Sequence, residues 1–291
     1  MGVPPFQTQS DVLRAAAAVR QHVVQPNINP VSPQAVDNRD ALAAGRGTVM
    51  DRPVLVADLW TAVAAVQIGA AAVMIGAEDP GSVLIGMSPL LRSVLEHSAA
   101  TVWVLDNQVG PEIRAARAAL YHLRGLEDST KAASHLGGHG NKSHAEARAQ
   151  LRALRKVLVK QFPNGTDLTV SPPVIAGERS PSPTGPVLHY GERWGIDKEW
   201  EGIYDYLSAA ANHPNMLTFE LLGDADGLID RFCLAMISPY VKALQHFADY
   251  CGFPRAELDQ FVDLVRATWP DAHATASLTS TLASIIRAIS A

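Results

Sequence analysis

Residues 88–106 read SPLLRSVLEHSAATVWVLD and combine a long apolar run with ionisable side chains. Leucine, valine and alanine recur at helical spacing along this stretch, which predicts an α-helix with a wide apolar surface. At about 100° per residue, the polar side chains share one half of the circumference: Arg92, Ser93, Glu96, His97 and Thr101. Trp103 and Val104 follow on that same half, so it becomes apolar further along. We therefore expect the polar group to face an interior cavity or an interface.

The same spacing of alanine and leucine continues along the whole chain, and alternating β-branched segments are almost absent. The pattern predicts an all-α fold with a single bundle-like domain over residues 1–291. Nine helices are expected, at residues 10–25, 54–77, 87–107, 111–135, 143–162, 197–212, 225–252, 255–269 and 274–290.

Helices 54–77 and 87–107 are expected to form the central hairpin, because both are strongly apolar. Proline suits the first turn of a helix, so Pro89 is predicted to mark the start of the second one. Ser143 and Glu146 have the spacing of a capping box, which predicts a helix start at Ser143.

Two segments interrupt the helical pattern. Residues 26–52 are rich in proline, asparagine and glycine, which predicts a loop with a short helical piece. Residues 163–196 hold six prolines between Pro163 and Pro186, so no helix is expected there. Because a structureless loop of this length is uncommon in a compact domain, we interpret residues 163–196 as a Pro-rich insertion that is either disordered or a lid.

Composition narrows the class of protein. The 291 residues are 47% apolar, which is enough for a large core, and the net charge of −5 argues against a nonspecific grip on nucleic acid. Cys233 and Cys251 form no metal-binding or disulfide pattern, and the first residues do not read as a secretory signal. Residues 59–77 carry no charge but are dominated by alanine, which favours a buried core helix over a membrane span. We expect a cytoplasmic protein.

A second segment with chemical potential is DKEWEGIYDYLSAAANHPNM, residues 197–216. At helical spacing Trp200, Tyr204 and Ser208 share one stripe, and the helix is predicted to end at His213. A histidine at a helix end is well placed to reach across a bundle core. Together with the first segment it would supply the groups for acid/base work on an anionic substrate.

The stretches LLRSVLEHSAATVWVLD and YDYLSAAANHPN resemble an uncharacterised family of helical proteins from actinomycete-type genomes. That family pairs an RxxxE segment with a later segment of tyrosine, serine and histidine, and the resemblance covers residues 55–250. It implies that five positions are shared without assigning roles to them: Arg92, Glu96, Tyr206, Ser208 and His213.

From these features we predict a cofactor-independent enzyme, of lyase or isomerase type, acting on a small anionic metabolite. The reaction would be an elimination, cyclisation or isomerisation, in a specialised biosynthetic pathway. Glu96, His97 and His213 are the predicted catalytic residues. The predicted substrate-binding residues are Arg92, Tyr206 and Ser208. A structural ion pair between Arg92 and Glu96 is the alternative explanation of the cluster.

Two other functions stay open. Arg92 and His97 form an R-x4-H pattern similar to the signature of HEPN-type ribonucleases, which cleave RNA at a dimer interface, and Arg117 and His122 repeat it. Two basic stripes could contact phosphates or be solvated helix faces: Arg114, Arg117, Arg124 and Lys131, and Arg148, Arg152, Arg155, Lys156 and Lys160. Alternatively the chain is a noncatalytic subunit that contacts a partner or a second copy through helix 59–77 or the lid.

Motifs for common cofactors are absent. The chain has no P-loop, GxGxxG, GxSxG or HExxH motif and no Glu-x-x-His spacing of the kind found in di-iron bundles. Asp224, Asp226 and Asp230 in GDADG and its following helix mark a helix start more simply than a metal site. We therefore predict no cofactor and no metal ligand.

Overall fold

The computed structural model describes residues 7–25, 29–43, 52–76, 80–135, 141–182, 184–193, 204 and 225–269. Over these residues the chain has the predicted all-α fold. Their nine helices are α1 (Gln7–Val23), α2 (Pro33–Ala43), α3 (Arg52–Ile75), α4 (Pro80–Val104), α5 (Pro111–Ser134), α6 (Asn141–Gln161), α7 (Gly185–Arg193), α8 (Ala225–Cys251) and α9 (Ala256–Thr268). One short antiparallel hairpin pairs β1 (Val174–Ile175) with β2 (Glu178–Arg179).

The hairpin of α3 and α4 is at the centre of the fold, and α1 and α8 pack against it. Ile68 of α3, Leu91 and Leu95 of α4, and Tyr240 of α8 are all completely buried. Burying an aliphatic side chain of this size contributes about 1.5–3 kcal/mol, so this interface is a major source of apolar stabilisation. Arg20 of α1 adds a polar tie to α3, since its guanidinium donates to Asp58.

Two predicted helix starts are wrong. Helix α4 begins at Pro80, so Pro89 lies inside it, with its ring exposed to solvent. The preceding turns are helical because Val83 and Met87 bury their side chains in the core, and packing outweighs local propensity. Helix α6 begins at Asn141, so Ser143 lies within the first turn and cannot form the predicted capping box.

The short helical piece predicted within segment 26–52 is the helix α2, which spans 11 residues. Ser32 precedes it, and its Oγ accepts a hydrogen bond from the amide of Ala35 at 3.2 Å, as a helix N-cap does. Pro33 occupies the first helical position, where its missing N–H costs nothing. This Ser-Pro pair is therefore the local signal that places the predicted helical piece within the segment.

The structure describes residues 163–182 and 184–193 of the Pro-rich insertion. Its hairpin packs on α5, and Ile175 is completely buried. The prediction that the insertion holds no helix is wrong, because α7 spans nine residues within it. Helix formation is possible there since Pro186 lies in the first turn, and Val187 and Tyr190 bury their side chains.

One face of α3 lies in the core, and the opposite face is exposed. By length and composition Arg52–Ile75 is one helix apolar enough to cross a membrane, and 33% of its most apolar window is buried. A soluble protein is compatible with this partly buried helix. Leu55, Leu59, Val66 and Val73 are each more than half exposed along the open face.

The turn between α8 and α9 gives the first prediction. Gly252 has φ +69°, and a Cβ there would lie 2.7 Å from the Cβ of Asn29. We expect Gly252→Ala to lower the free energy of unfolding by about 1–3 kcal/mol, because both the backbone conformation and the contact are unfavourable. Chemical denaturation measures this change.

Gly125→Ala is the matched control. Gly125 lies inside α5, and a Cβ there has nothing within 4 Å. This variant should gain about 0.5–1 kcal/mol, because alanine is the better helix former. Equal stability of the two variants would show that the turn does not require glycine.

Candidate functional site

The polar stripe of α4 forms a closed network with Tyr204. Glu96 Oε1 accepts hydrogen bonds from Arg92 Nε at 2.9 Å and from Tyr204 Oη at 2.6 Å. Arg92 Nη2 also donates to Tyr204 Oη at 3.2 Å, and its guanidinium lies 5.2 Å from the centre of the tyrosine ring. The predicted pairing of Arg92 with Glu96 is therefore present, and a residue 108 positions away completes it.

The network sets the protonation state of Tyr204 and Arg92. Burial, followed by the hydrogen bond to the Glu96 carboxylate, raises the pKa of Tyr204 above its ordinary value. Burial alone would lower the pKa of Arg92, but its bonds to Glu96 and Tyr204 outweigh this and raise it. The tyrosine hydroxyl is therefore a neutral donor, and Arg92 stays a cation.

His97 is oriented by its own helix. Its Nδ1 lies 2.6 Å from the carbonyl oxygen of Ser93. Because a carbonyl oxygen only accepts hydrogen bonds, Nδ1 carries the proton, and Nε2 is the basic nitrogen of the neutral ring. Gln67 of α3 holds the same turn, since its Nε2 donates to Ser93 Oγ at 2.5 Å.

Glu96 and His97 line one small cavity between α3, α4 and α5. It has a volume of about 190 Å³, and its wall is formed by Trp60, Glu96, His97, Ala100, Tyr121 and Arg124. Trp60 and Tyr121 meet edge to face, with ring centroids 4.3 Å apart. The cavity thus brings a carboxylate, an imidazole and a guanidinium together against an aromatic wall.

A larger groove adjoins this cavity, because Trp60, Tyr121 and Arg124 line both. The groove has a volume of about 580 Å³ and runs between α3 and α5. Its other lining residues are Arg52, Leu55, Val56, Leu59, His122, Gly125, Leu126, Asp128 and Ser129. Most of this wall is apolar, and its positive charges come from Arg52 and Arg124.

The two arginines of the groove differ in their partners. Arg124 Nη1 donates to the Pro181 carbonyl at 3.3 Å, and its Nε lies 3.9 Å from an Asp128 carboxylate oxygen. Arg52 Nη1 is buried and has no hydrogen-bond partner among the described residues. Burial lowers the pKa of Arg52, and partial burial followed by the charge of Arg52 lowers the pKa of His122.

The predicted site residues are only partly within the described chain. Arg92, Glu96 and His97 are close together, but the guanidinium of Arg92 is bonded to Glu96 and Tyr204. Three further predicted residues lie outside the described residues: Tyr206, Ser208 and His213. Tyr204 lies on the predicted stripe, but no local pattern distinguishes it from its neighbours as a site residue.

A second polar cluster, which no sequence motif indicated, is centred on Asp106 after α4. Its carboxylate accepts a hydrogen bond from Arg193, and Arg117 Nη1 and His189 Nε2 lie 3.5 Å from its Oδ2. Burial alone would raise the pKa of Asp106, but the Gln108 amide and Arg193 outweigh it and lower the pKa. Only 2% of Asp106 is exposed, so these partners replace its hydration.

Two arginines of the predicted basic stripe on α5 belong to this buried region. Arg114 Nη2 donates to Asp37 Oδ2 at 2.6 Å, and Arg117 Nε donates to Glu178 Oε2 at 3.0 Å. Each arginine is only 7% exposed. The interpretation of Arg114 and Arg117 as phosphate contacts or a solvated face is therefore wrong, because both are bonded inside the fold. Because Arg117 is buried and bonded, the second R-x4-H pattern, from Arg117 to His122, lacks an accessible arginine.

The second predicted basic stripe lies on α6 and is exposed along its length, at Arg148, Arg152, Arg155, Lys156 and Lys160. Arg155 pairs with Glu127 at 2.7 Å.

Metal ligands are not gathered in the described part of the chain, which holds no group of three His, Cys, Asp or Glu suited to an ion. Asp230 instead accepts hydrogen bonds from Gln9 and Trp269.

The buried polar region makes stability depend on pH. Burial, and then the positive charge of Arg193, lowers the pKa of His246 to about 4. An unfolded histidine has a pKa near 6.5, so the native state binds fewer protons between these values. The contribution of His246 to the free energy of unfolding should be fully present above about pH 6.5. It should fall by roughly 3 kcal/mol as the pH drops to about 4. Thermal unfolding across this range measures the loss.

His246→Gln removes the titrating group and retains a polar side chain. The loss of stability on acidification should be smaller in this variant by about 2–3 kcal/mol. Parallel pH profiles for the wild type and the variant would show that His246 does not carry the acid sensitivity.

Comparison with known protein families, curated proteins and solved structures gave no match. The resemblance to the actinomycete-type helical family therefore stays a prediction.

Proposed function

We propose that the protein is a cofactor-independent, cytoplasmic enzyme that performs acid/base chemistry on a small anionic molecule. The reaction would be an isomerisation, elimination or cyclisation, of the kind used in specialised biosynthesis. One observation carries the proposal: Glu96 and His97 line a cavity that Arg124 also lines and that shares a wall with a larger groove. An imidazole, a carboxylate and a guanidinium are sufficient for proton transfer without a cofactor.

In this proposal His97 moves the proton. Its Nδ1 is committed to the Ser93 carbonyl, so Nε2 is the nitrogen that can accept a proton from the substrate. In an isomerisation the same nitrogen returns the proton to a neighbouring substrate atom, so no co-reactant is required. Arg124 supplies positive charge beside the atoms where negative charge develops.

Glu96 is the second proposed catalytic group, and Arg92 supports it. The carboxylate of Glu96 lines the cavity, and Arg92 and Tyr204 hold it through hydrogen bonds to one of its oxygens. Arg92 acts as a positioning residue, because its guanidinium is engaged by Glu96 and Tyr204. Tyr206, Ser208 and His213 remain predicted contributors from outside the described residues.

The ribonuclease hypothesis receives less support. It requires Arg92 to contact phosphate, whereas this guanidinium is bonded to a carboxylate and a phenol. The exposed arginines of α6 leave electrostatic contact with RNA as a testable alternative.

The test combines ligand screening with two conservative variants. Thermal unfolding of the wild type is measured with a panel of anionic metabolites and short RNAs, and each stabilising compound is then assayed for conversion by mass spectrometry. We expect His97→Asn and Glu96→Gln to reduce turnover by about 10²–10⁴-fold while remaining folded. Asparagine retains a donor for the Ser93 carbonyl and removes only the basic nitrogen.

Arg148→Gln, on the exposed face of α6, is the control and should leave turnover of the metabolite unchanged. Turnover by both cavity variants at the wild-type rate would refute the acid/base proposal. Stabilisation by RNA alone, lost in Arg148→Gln, would favour a ribonuclease or RNA-binding function instead.

A second candidate role, as an assembly subunit, is favoured by the exposed face of α3. Five of its residues lie on one stripe: Leu59, Ala62, Val66, Ala70 and Val73. Their spacing of 3, 4, 4 and 3 reads the same in both directions about Val66. An antiparallel second copy would therefore pair Leu59 with Val73 and Ala62 with Ala70 across a two-fold axis. As an alternative to the enzyme, we propose that this face, defined here as the α3 stripe, forms a homodimer, which would cover the Leu59 side of the groove between α3 and α5.

Val66→Asp tests the homodimer. Two carboxylates would meet at the axis, so we expect a dimer in the wild type and a monomer in the variant, measured by analytical ultracentrifugation. Leu264→Asp is the control, because Leu264 is 45% exposed on α9, away from the α3 stripe. A monomeric wild type, or one that binds phospholipid vesicles through this stripe, would contradict the dimer.

A further inference from the structure

We propose that the groove between α3 and α5 binds an amphipathic carboxylate, with its charged group on Arg52 and its apolar body along α3. The inference rests on the proposed function where it names this molecule as the substrate class. The binding itself depends on a separate set of contacts, those of the groove.

The charge of Arg52 is the first argument. Its Nη1 is buried and lacks a hydrogen-bond partner among the described residues, and no carboxylate within that part of the chain pairs with it. A buried N–H group without an acceptor is costly, and a carboxylate, which can accept two parallel hydrogen bonds, is the best complement of a guanidinium. Arg124 is less suited to this role because Asp128 and the Pro181 carbonyl already contact it.

The apolar wall is the second argument. Leu55 and Leu59, which follow Arg52 along α3, are 64% and 61% exposed to the open groove. Large aliphatic side chains exposed together in a concave surface are typical of a binding site. The groove volume of about 580 Å³ also lies in the range of small-molecule sites, so it can accept a chain or ring system of several carbons.

The position of the groove is the third argument. Trp60, Tyr121 and Arg124 form a wall common to the groove and to the small cavity of Glu96 and His97. A ligand anchored at Arg52 can therefore extend its uncharged end toward the proposed base. Binding energy from the remote carboxylate would then help to position the reacting atoms.

The experiment compares octanoate with octan-1-ol, which have similar apolar chains but differ in charge. Isothermal titration of the wild type should give at least about tenfold tighter binding of octanoate, since a carboxylate pairs with a guanidinium and a hydroxyl does not. Arg52→Gln should remove this preference and leave the affinity for octan-1-ol unchanged. Leu59→Ser should weaken binding of both compounds.

Arg148→Gln serves as the charge-matched control and should bind both compounds as the wild type does. Equal affinity of the wild type for octanoate and octan-1-ol would overturn the proposal, as would unchanged octanoate binding in Arg52→Gln. The comparison of the two compounds uses the wild type alone, so it decides the matter even if the Arg52 variant fails to fold.

The two proposals can fail separately. His97→Asn and Glu96→Gln should bind octanoate with wild-type affinity, because neither residue lines the groove. If octanoate binds through Arg52 and these variants keep full turnover, the groove proposal stands and the acid/base proposal fails. If turnover is lost in these variants but octanoate shows no preference over octan-1-ol, the acid/base proposal stands and the groove proposal fails.

Discussion

The fold depends on the pairing of buried arginines with carboxylates brought from other elements. Arg114 pairs with Asp37 of α2. Arg117 pairs with Glu178 of the β1–β2 hairpin and with Asp106, which follows α4. Since a buried charge without a partner is strongly destabilising, each carboxylate fixes the element that carries it. The peripheral segments are thereby held on α5 by charge pairing, whereas the central hairpin is held by apolar burial.

The same constraint separates structural cations from functional ones. Arg92, Arg114 and Arg117 each have an internal carboxylate at hydrogen-bond distance. Arg52 has none among the described residues, and it faces an open apolar groove rather than a packed interface. The Arg52 Nη1 group without an acceptor in the described part of the chain and the exposed leucines beside it are costly for the free protein, which is the expected character of a surface kept for binding.

The site joins two environments of opposite character. Around Glu96 the hydrogen bonds from Arg92 and Tyr204 hold a carboxylate in one orientation, and the Ser93 carbonyl sets the tautomer of His97. Toward α3 the wall becomes apolar and open. This arrangement suits a substrate whose reacting end meets fixed polar groups while its body is held by apolar contact, because orientation and binding energy come from different parts of the molecule.

The sequence by itself determined the all-α class and the α3–α4 hairpin, and it identified the Arg92–Glu96 pair, because periodicity and i, i+4 spacing are local properties. Tertiary structure decided that Arg114 and Arg117 are buried, and it decided that a helix forms within the Pro-rich insertion. It also selected Tyr204 as the partner of Glu96 and joined Arg52 to Arg124 in one groove. These outcomes depend on contacts between residues far apart in the chain, for which single-sequence patterns carry no signal.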